Sequence, residues 1–322
     1  MAGYTSDRTQ TEACDSIVKA PRAGGRSTRA KRGYSRPRPR LIPRRMLWAA
    51  VALIALFTLG PFLWLVSSSF QTMSELLSVP PHLIPHMPTL ENFARLFSPE
   101  KAGVSAMEGS TFVAAVTNSV VVSSWTTIIS LLLGTPAAYS FARLRLPYKR
   151  PLLIFILALT MLPSMTVIIP LYVLGQRLGL LNTRLALIIA YTTFGLPFVV
   201  WIMNGYFSTI PRELEDAALI DGCTRPSAFL RIAVPLSAPG LAATAIFTFL
   251  AAWDEFIFAL VFTSTYSAKT LPVALAEFVG RFSIDWGLMT TGGLVATLPP
   301  IVIALVLQRY LITGLTSGAV KS

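Results

Sequence analysis

The polar stretch Pro-Arg-Glu-Leu-Glu-Asp-Ala-Ala-Leu-Ile-Asp-Gly, residues 211–222, separates two long apolar segments of the chain. Pro211 fits the first position of a helix, and the acidic residues that follow stabilise the positive end of that helix. Gly222 supplies the left-handed residue that commonly ends a helix. Thr224 can cap a second short helix that ends near Pro235. The sequence therefore predicts a short helical hairpin held between two apolar segments.

One face of the first hairpin helix is predicted to be nearly bare. Ala217 and Ala218 carry only methyl side chains, so a backbone or a side chain of another protein can approach them closely. We therefore expect the hairpin, residues 211–235, to be gripped by a protein partner.

The composition is that of a membrane protein. Of the 322 residues, 53% are hydrophobic and 13% are charged, and the mean hydropathy is +0.62. Six charge-free runs each exceed the ~20 residues that a helix needs to cross the hydrocarbon core, whereas transmembrane strands are ~10 residues long and alternate in polarity. The predicted fold is an all-α integral membrane protein with six transmembrane helices near residues 47–68, 113–141, 152–175, 185–206, 238–263 and 288–311.

The basic residues predict the orientation of these six helices, because Lys and Arg near the ends of a span resist translocation. With the N-terminus inside, most of the basic residues that flank the spans also lie inside, including Arg143, Arg145, Arg212 and Arg231. Six spans then return the C-terminus to the cytoplasm. The hairpin is cytoplasmic in this arrangement, and so is its expected partner.

The net charge of +12 comes mostly from the first 45 residues, which hold twelve Lys or Arg and three acidic residues. Residues 1–45 have almost no apolar content, and we expect a disordered basic cytoplasmic tail. A topology anchor close to anionic lipid head groups explains this tail, so no nucleic-acid partner is expected.

Neither metal binding nor catalysis is indicated. His82 and His86 flank Pro85 in the first outer loop, where prolines disfavour the helix that a metal-binding pair would need, and no third ligand is near. The chain has no glycine-rich loop that ends in Lys followed by Ser or Thr, so it cannot bind ATP in that way. Both histidines sit together in an outer loop, so no catalytic Ser/His or Cys/His arrangement is expected. We expect a non-catalytic protein without a metal or a bound cofactor.

Trp253, Asp254 and Glu255 interrupt an otherwise apolar segment. An acidic residue within a span is energetically costly and usually faces a polar cavity or a partner. Two interpretations remain open: the three residues line the outer half of a hydrophilic path, or the acids mark a frayed helix end among interfacial aromatic residues.

The motifs of the chain resemble those of permease subunits of the maltose-type carbohydrate importers in the ABC superfamily, over nearly all of residues 46–322. The strongest match is the E-A-A, three residues, G, nine residues, I-x-L-P pattern, which stands here as Asp216-Ala217-Ala218, Gly222 and Ile232 to Pro235. Supporting matches are Asn118-Ser119, Ala137-Ala138-Tyr139, Trp253 to Phe256 and the ending Gly314 to Lys321. Asp216 departs from the usual Glu, Val234 from Leu and Asp254 from the common Asn.

The resemblance implies a coupling role for the hairpin 211–235, which would sit in a cleft of an ATPase and transmit its motion to the spans. It also implies a type I importer fold in a prokaryotic cell membrane and a C-terminal cytoplasmic tail, residues 312–322, that reaches the ATPase dimer. The residues carried over are Glu213, Glu215, Asp216, Ala217, Ala218, Asp221, Gly222 and Pro235 for ATPase coupling, and Gly314, Gly318 and Lys321 for the tail contact.

The implied partners are a sister permease subunit, two copies of a cytoplasmic ABC ATPase that uses ATP and Mg²⁺, and an external sugar-binding protein. The implied cargo is a sugar, a di- or oligosaccharide. A permease for glycerol phosphate, a polyamine or another non-sugar solute remains the alternative. An ion-coupled secondary transporter would use Asp254 or Glu255 as its ion site, but it should show internal repeats and more than six spans, and the sequence has neither.

Overall fold

The computed structural model describes residues 43–97, 107–280 and 284–319, and these are helical apart from turns, loops and one isolated bridge between Val279 and Ile284. Residues 1–42 of the predicted basic tail and Lys321 lie outside the described residues, whereas Arg44 and Arg45 already belong to the first helix. The helices are α1 (Arg44–Ser69), α2 (Met73–Leu76), α3 (Glu91–Phe97), α4 (Met107–Arg143), α5 (Lys149–Thr160), α6 (Ser164–Arg177), α7 (Arg184–Thr209), α8 (Arg212–Ile220), α9 (Arg225–Ala228), α10 (Val234–Leu236), α11 (Ala238–Trp253), α12 (Ile257–Phe262), α13 (Leu271–Ala276) and α14 (Trp286–Ala319), with a π-helix (Phe229–Ala233) between α9 and α10.

Four helices in the described part of the chain, α1, α4, α7 and α14, are long and apolar enough to cross a membrane unbroken. The third predicted span is instead two helices, α5 and α6, which meet at an angle of 87°. The break falls at Met161 to Pro163. Proline disfavours the helical conformation in the residue before it, which explains the position of this break.

The fifth predicted span, residues 238–263, is also not continuous. Helix α11 begins at Ala238 as predicted but ends at Trp253, and α12 begins only at Ile257. At its other end α11 makes an angle of 76° with the helical segment Arg225–Leu236. The sixth span is longer than predicted, because α14 stays helical to Ala319 and includes most of the predicted tail 312–322.

Helices α4 and α7 form the centre of the bundle. They run parallel, since Asn118 lies beside Arg184 near their first turns and Tyr139 lies beside Phe207 near their last. Their backbones approach closely at Gly134, where a β-carbon would lie 2.6 Å from a methyl carbon of Val199. Helix α11 packs antiparallel across both helices.

At the opposite end from the hairpin, polar side chains tie the loop between α12 and α13 to the central helices. The Asn118 amide donates to the backbone oxygen of Lys269 over 2.8 Å and accepts from Nε of Arg184 over 2.7 Å. Ser119 Oγ accepts from the backbone N–H of Leu271 over 2.8 Å. The resemblance motif Asn118-Ser119 therefore has a structural role, because it holds this loop against the bundle.

Candidate coupling hairpin and substrate cavity

The first hairpin helix, α8, begins and ends as its sequence predicts, with one shift. Pro211 is the cap residue and not the first helical residue, because the helix begins at Arg212. At the other end Gly222 has a φ of +92°. The N–H of Cys223 donates to the Ala218 oxygen over 2.9 Å and that of Gly222 to the Leu219 oxygen over 3.2 Å. These two bonds form a Schellman motif, which confirms the left-handed end.

The second limb of the hairpin begins at Thr224, whose hydroxyl accepts from the N–H of Ser227 over 3.4 Å. This contact confirms the predicted cap. The limb then widens into the π-helix before Pro235. Proline cannot donate the usual backbone bond and its ring crowds the carbonyl four residues earlier, and a π-turn relieves both problems.

The acidic and small residues of α8 divide between two faces. Glu213, Asp216, Ala217 and Asp221 are exposed, together with the apolar side chains of Leu214 and Ile220. Ala218 is fully buried and packs with Cys223, Ala228 and Ile232 inside the hairpin. The bare face predicted for both alanines is therefore wrong for Ala218, because its small size serves the packing of the two limbs against each other.

Glu215 is the second residue of α8 that faces inward. Its Oε1 accepts from Nε of Arg143 and its Oε2 accepts from the hydroxyl of Tyr139, each over 2.7 Å. Nη2 of Arg143 also donates to the backbone oxygen of Ile210 over 2.9 Å. The side chains of Arg143 and Glu215 are each only 8% exposed. Glu215 thus joins the hairpin to the end of α4.

Aromatic rings reinforce this junction. The ring of Tyr139 lies 4.7 Å from that of Phe229 in the π-helix and 5.5 Å from that of Phe207 in α7. The three rings therefore join the second limb of the hairpin to both central helices. Apart from the resemblance motif that includes Tyr139, no sequence pattern indicates this cluster.

The three consecutive residues proposed for the path face different parts of the structure. Trp253 is buried, and its indole N–H donates to the backbone oxygen of Ala296 over 3.3 Å. Asp254 is exposed at the end of α11, beside a groove of about 600 Å³ that Phe62 and Pro300 also line. Glu255 accepts from the N–H groups of Phe258 over 2.9 Å and Ala259 over 3.3 Å, and so caps α12.

Glu255 also lines a separate cavity of about 690 Å³ between α5, α7 and α11. The helix-end interpretation therefore fits the position of Asp254, and the cavity interpretation fits the position of Glu255. Trp253 packs in the core cluster with Phe112, Leu271 and Leu288.

The cavity combines aromatic rings with hydroxyl groups. Its lining includes Tyr191, Phe194, Phe198, Trp201, Phe247, Phe258, Thr126, Thr160 and Thr248. The hydroxyls of Thr126 and Tyr191 are buried and make no hydrogen bond of normal geometry within the described residues. Tyr191 is an electrostatic neighbour of Glu255. The sequence did not predict these cavity groups, because a Thr or Tyr in an apolar helix is common in any transmembrane span.

The remaining site predictions concern the chain end and the outer loop. Gly314 and Gly318 lie in the last turns of α14. His82 and His86 lie with their ring centres 4.5 Å apart, and Nδ1 of His82 is 2.7 Å from the Ser78 hydroxyl.

A bundle of helices long and apolar enough to cross a membrane, around a cavity and with a capped helical hairpin at one end, is the arrangement of a membrane transport permease. The chain belongs to the family described as binding-protein-dependent transport system inner membrane component, which matches residues 130–317. It is a non-catalytic, inner-membrane permease subunit of the ABC importers.

Curated relatives are similar over most of the chain. A trehalose transport permease of Mycobacterium tuberculosis is 39% identical over 281 residues, 86% of this chain and 98% of that protein. A trehalose/maltose transport permease of Thermococcus litoralis is 35% identical over 285 residues, 88% of this chain and 99% of that protein. A sulfoquinovosyl glycerol transport permease of Agrobacterium fabrum is 35% identical over 279 residues, covering 87% and 94%.

Solved structures share the fold. A chain of a bacterial ABC transporter that imports the acidic polysaccharide alginate has a TM-score of 0.69 at 20% identity, covering 85% of this chain and 99% of that chain. A chain of the methionine ABC transporter in inward-facing form has a TM-score of 0.56 at 15% identity, covering 66% and 99%.

Proposed function

We propose that this chain forms half of the translocation path for a neutral di- or oligosaccharide, which an external binding protein delivers. The observation that carries this proposal is the cavity between α5, α7 and α11. Ligand sites are typically 300–1,000 Å³ in volume and mostly apolar, with a few placed polar groups. This cavity has that size and that composition.

The lining of the cavity favours a sugar over a phosphorylated glycerol. Aromatic rings offer flat apolar faces to the C–H side of a sugar ring, and the Thr and Tyr hydroxyls can donate to or accept from its hydroxyl groups. Among the described residues, Glu255 is the one acidic residue in the lining, and no basic residue belongs to it. A phosphorylated glycerol would meet a carboxylate there without a compensating cation. The trehalose and maltose cargoes of the relatives support the same reading.

The exposed face of the hairpin supports a second part of the proposal, which is docking to a cytoplasmic ATPase. Leu214 and Ile220 are 47% and 85% exposed in this chain, and acidic residues flank them. Apolar side chains with a charged rim are typical of a protein interface. Glu213, Asp216, Ala217 and Asp221 belong to this face, whereas Glu215, Ala218 and Gly222 fix its shape.

The complete transporter in this proposal holds a sister permease, two ATPase copies and the binding protein. ATP and Mg²⁺ are bound by the ATPase and not by this chain, and nucleic acid is not a partner. Both chain ends and the hairpin are cytoplasmic. The tail residues Gly314, Gly318 and Lys321 extend toward the ATPase dimer.

The test is reconstitution of this chain in proteoliposomes with its sister permease, its ATPase and its binding protein. We expect ATP-dependent uptake of radiolabelled trehalose or maltose, which also requires the binding protein. Excess unlabelled spermidine or glycerol 3-phosphate should leave the uptake unchanged. Inhibition of sugar uptake by either competitor, or sugar uptake without ATP, would contradict the proposal.

A further inference from the structure

Glu215 lies on the helix that faces the proposed ATPase, yet its carboxylate is turned away from that surface. Both of its oxygens are occupied, one by Arg143 and one by Tyr139. The other acids of the hairpin, Glu213, Asp216 and Asp221, are exposed. Glu215 therefore has a different task from its neighbours, and that task lies inside the subunit.

The contacts of Arg143 give the junction a fixed geometry. Its guanidinium holds Glu215 through Nε and the carbonyl of Ile210 through Nη2. Ile210 is the last residue before the hairpin, and Glu215 is in the first turn of α8. Because the guanidinium is planar and rigid, these two contacts fix the direction of α8 relative to the last turn of α4.

Other contacts stiffen the same joint. Nη2 of Arg212 donates to the backbone oxygen of Ala142 over 3.4 Å, and the ring of Tyr139 packs on Phe229 in the second limb. Helix α4 then runs unbroken to the opposite end of the bundle and presents Thr126 to the cavity. A tilt of the hairpin must therefore tilt α4, since close-packed elements move as rigid bodies.

We propose that Glu215, Arg143 and Tyr139 are the positioning residues that transmit motion of the hairpin to α4 and so to the cavity. This inference rests on the proposed function. It assigns the transmission to one buried ion pair and one hydroxyl, and it separates Glu215 from the residues that contact the ATPase.

The test is a charge exchange in the assembled complex. The variants are Glu215→Arg, Arg143→Glu and the double exchange, with Glu91→Arg as the control, which reverses an exposed acid in the first turn of a helix outside the hairpin. All carry Cys14→Ser, Cys223→Ser and a reporter, Thr160→Cys, in the cavity lining. Two quantities are measured: the ATPase that co-purifies, and the rate at which a membrane-impermeant maleimide labels the reporter with and without ATP and vanadate.

The unsubstituted complex and the Glu91→Arg control should show a nucleotide-dependent change in labelling. Each single reversal at Glu215 or Arg143 should reduce this change about tenfold, and the double exchange should restore a large part of it. Tyr139→Phe keeps the ring and loses only the hydroxyl. Tyr139→Phe should weaken the nucleotide-dependent change in labelling while the ATPase remains bound. If the charge variants do not assemble, this variant alone tests the inference.

Full nucleotide-dependent labelling in both single reversals, or in Tyr139→Phe when the charge variants fail to assemble, would overturn the inference. So would a defect that the double exchange leaves uncorrected in an assembled complex. If nucleotide does not change the labelling of the unsubstituted complex, this result would instead contradict the proposed function itself.

Discussion

Among single residues, Gly222 has the strictest backbone requirement. Its φ of +92° lies where residues with a β-carbon are strained, although a β-carbon there would meet no atom within 4 Å. The requirement is therefore one of backbone conformation and not of space. This distinction determines which substitutions the hairpin tolerates.

Gly222→Val should uncouple transport without preventing membrane insertion, because a β-branched residue in the left-handed region costs about 1–2 kcal/mol and opens the Schellman motif. Gly222→Asn should keep much of the activity, since Asn tolerates this conformation. Gly205→Ala is the control, because Gly205 lies inside helix α7 with open space around it. Trehalose uptake and ATPase co-purification are measured in the same membranes. Normal uptake by the Val variant would exclude the coupling role of the hairpin.

Replacement of Glu255 by Leu and replacement of Asp254 by Leu should affect uptake differently. Glu255→Leu removes the cap of α12 and the carboxylate of the cavity, so uptake should fall at least about tenfold. Glu255→Gln keeps one acceptor oxygen, so its uptake should fall less. Asp254→Leu should be nearly neutral, and Asp254→Asn should be tolerated, because this carboxylate lies at a helix end outside the cavity. Uptake is compared at matched membrane abundance. A larger loss in Asp254→Leu than in Glu255→Leu would reverse the assignment.

The residues that sequence reasoning recognised are those whose role is local. Gly222 and Thr224 act within a few positions of themselves, and the structure confirms both. The role of Glu215 could not be predicted in this way, because its partners lie 72 and 76 positions earlier in the chain. An acid in the first turn of a helix is already explained by the helix dipole, so nothing in the sequence called for a second explanation.

Between elements, the closest approach that matters for function is that of α11 to α7. A β-carbon on Gly240 would lie 2.4 Å from the ring of Tyr206. This contact is immediately beyond the hairpin and sets the distance between the fifth span and a central helix. The atoms nearest to this position are at the base of the ring, so the ring or the backbone must shift to admit a methyl group.

Gly240→Ala should therefore lower the denaturation temperature of the purified chain and the fraction that elutes as a single species, with a cost of about 1–3 kcal/mol. Tyr206→Leu in the same chain should recover part of this loss, because it removes the ring that the new methyl group meets. Gly60→Ala provides the control, since no atom lies within 4 Å of its β-position. Unchanged stability in Gly240→Ala would show that the two helices separate at little cost.

The elements were predictable where hydropathy alone decides them. Helices α1, α4 and α7 lie close to the predicted spans because long apolar runs have one stable form in a bilayer. The break between α11 and α12 was not predicted, because Asp254 to Phe256 are flanked by apolar residues and an averaged hydropathy passes over them. What the break provides, a cap for α12 and a carboxylate in the cavity, depends on tertiary position.

Across the whole molecule, α1 stands apart from the bundle. None of its most apolar window is buried in this chain, and within the described residues it packs mainly against α14. Its apolar surface is therefore left to lipid or to the sister subunit. Its place in the membrane depends on its own hydropathy and on the basic residues before it.

Deletion of residues 2–34 should cost little uptake, since Arg36, Arg38, Arg40, Arg44 and Arg45 still hold this end inside. Replacement of these five arginines by Ser in the truncated chain should lower the correctly inserted fraction, because the charge asymmetry is then lost. Protease accessibility from each side and membrane abundance measure the insertion. Loss of uptake by the truncated chain at normal abundance would show that the tail has a specific partner.

The gap between Trp253 and Ile257 also has a consequence for the hydrogen exchange of backbone amides in the bilayer. Backbone groups outside a helix are tolerated at membrane depth only where protein or water satisfies them, and this gap opens beside the cavity. In deuterated solvent, the amides near Glu255 should exchange far sooner than those in the middle of α7, although both lie in stretches that are almost wholly apolar. The backbone amides of this gap should therefore exchange with solvent deuterium, whereas the amides of a continuous lipid-facing helix would stay protonated.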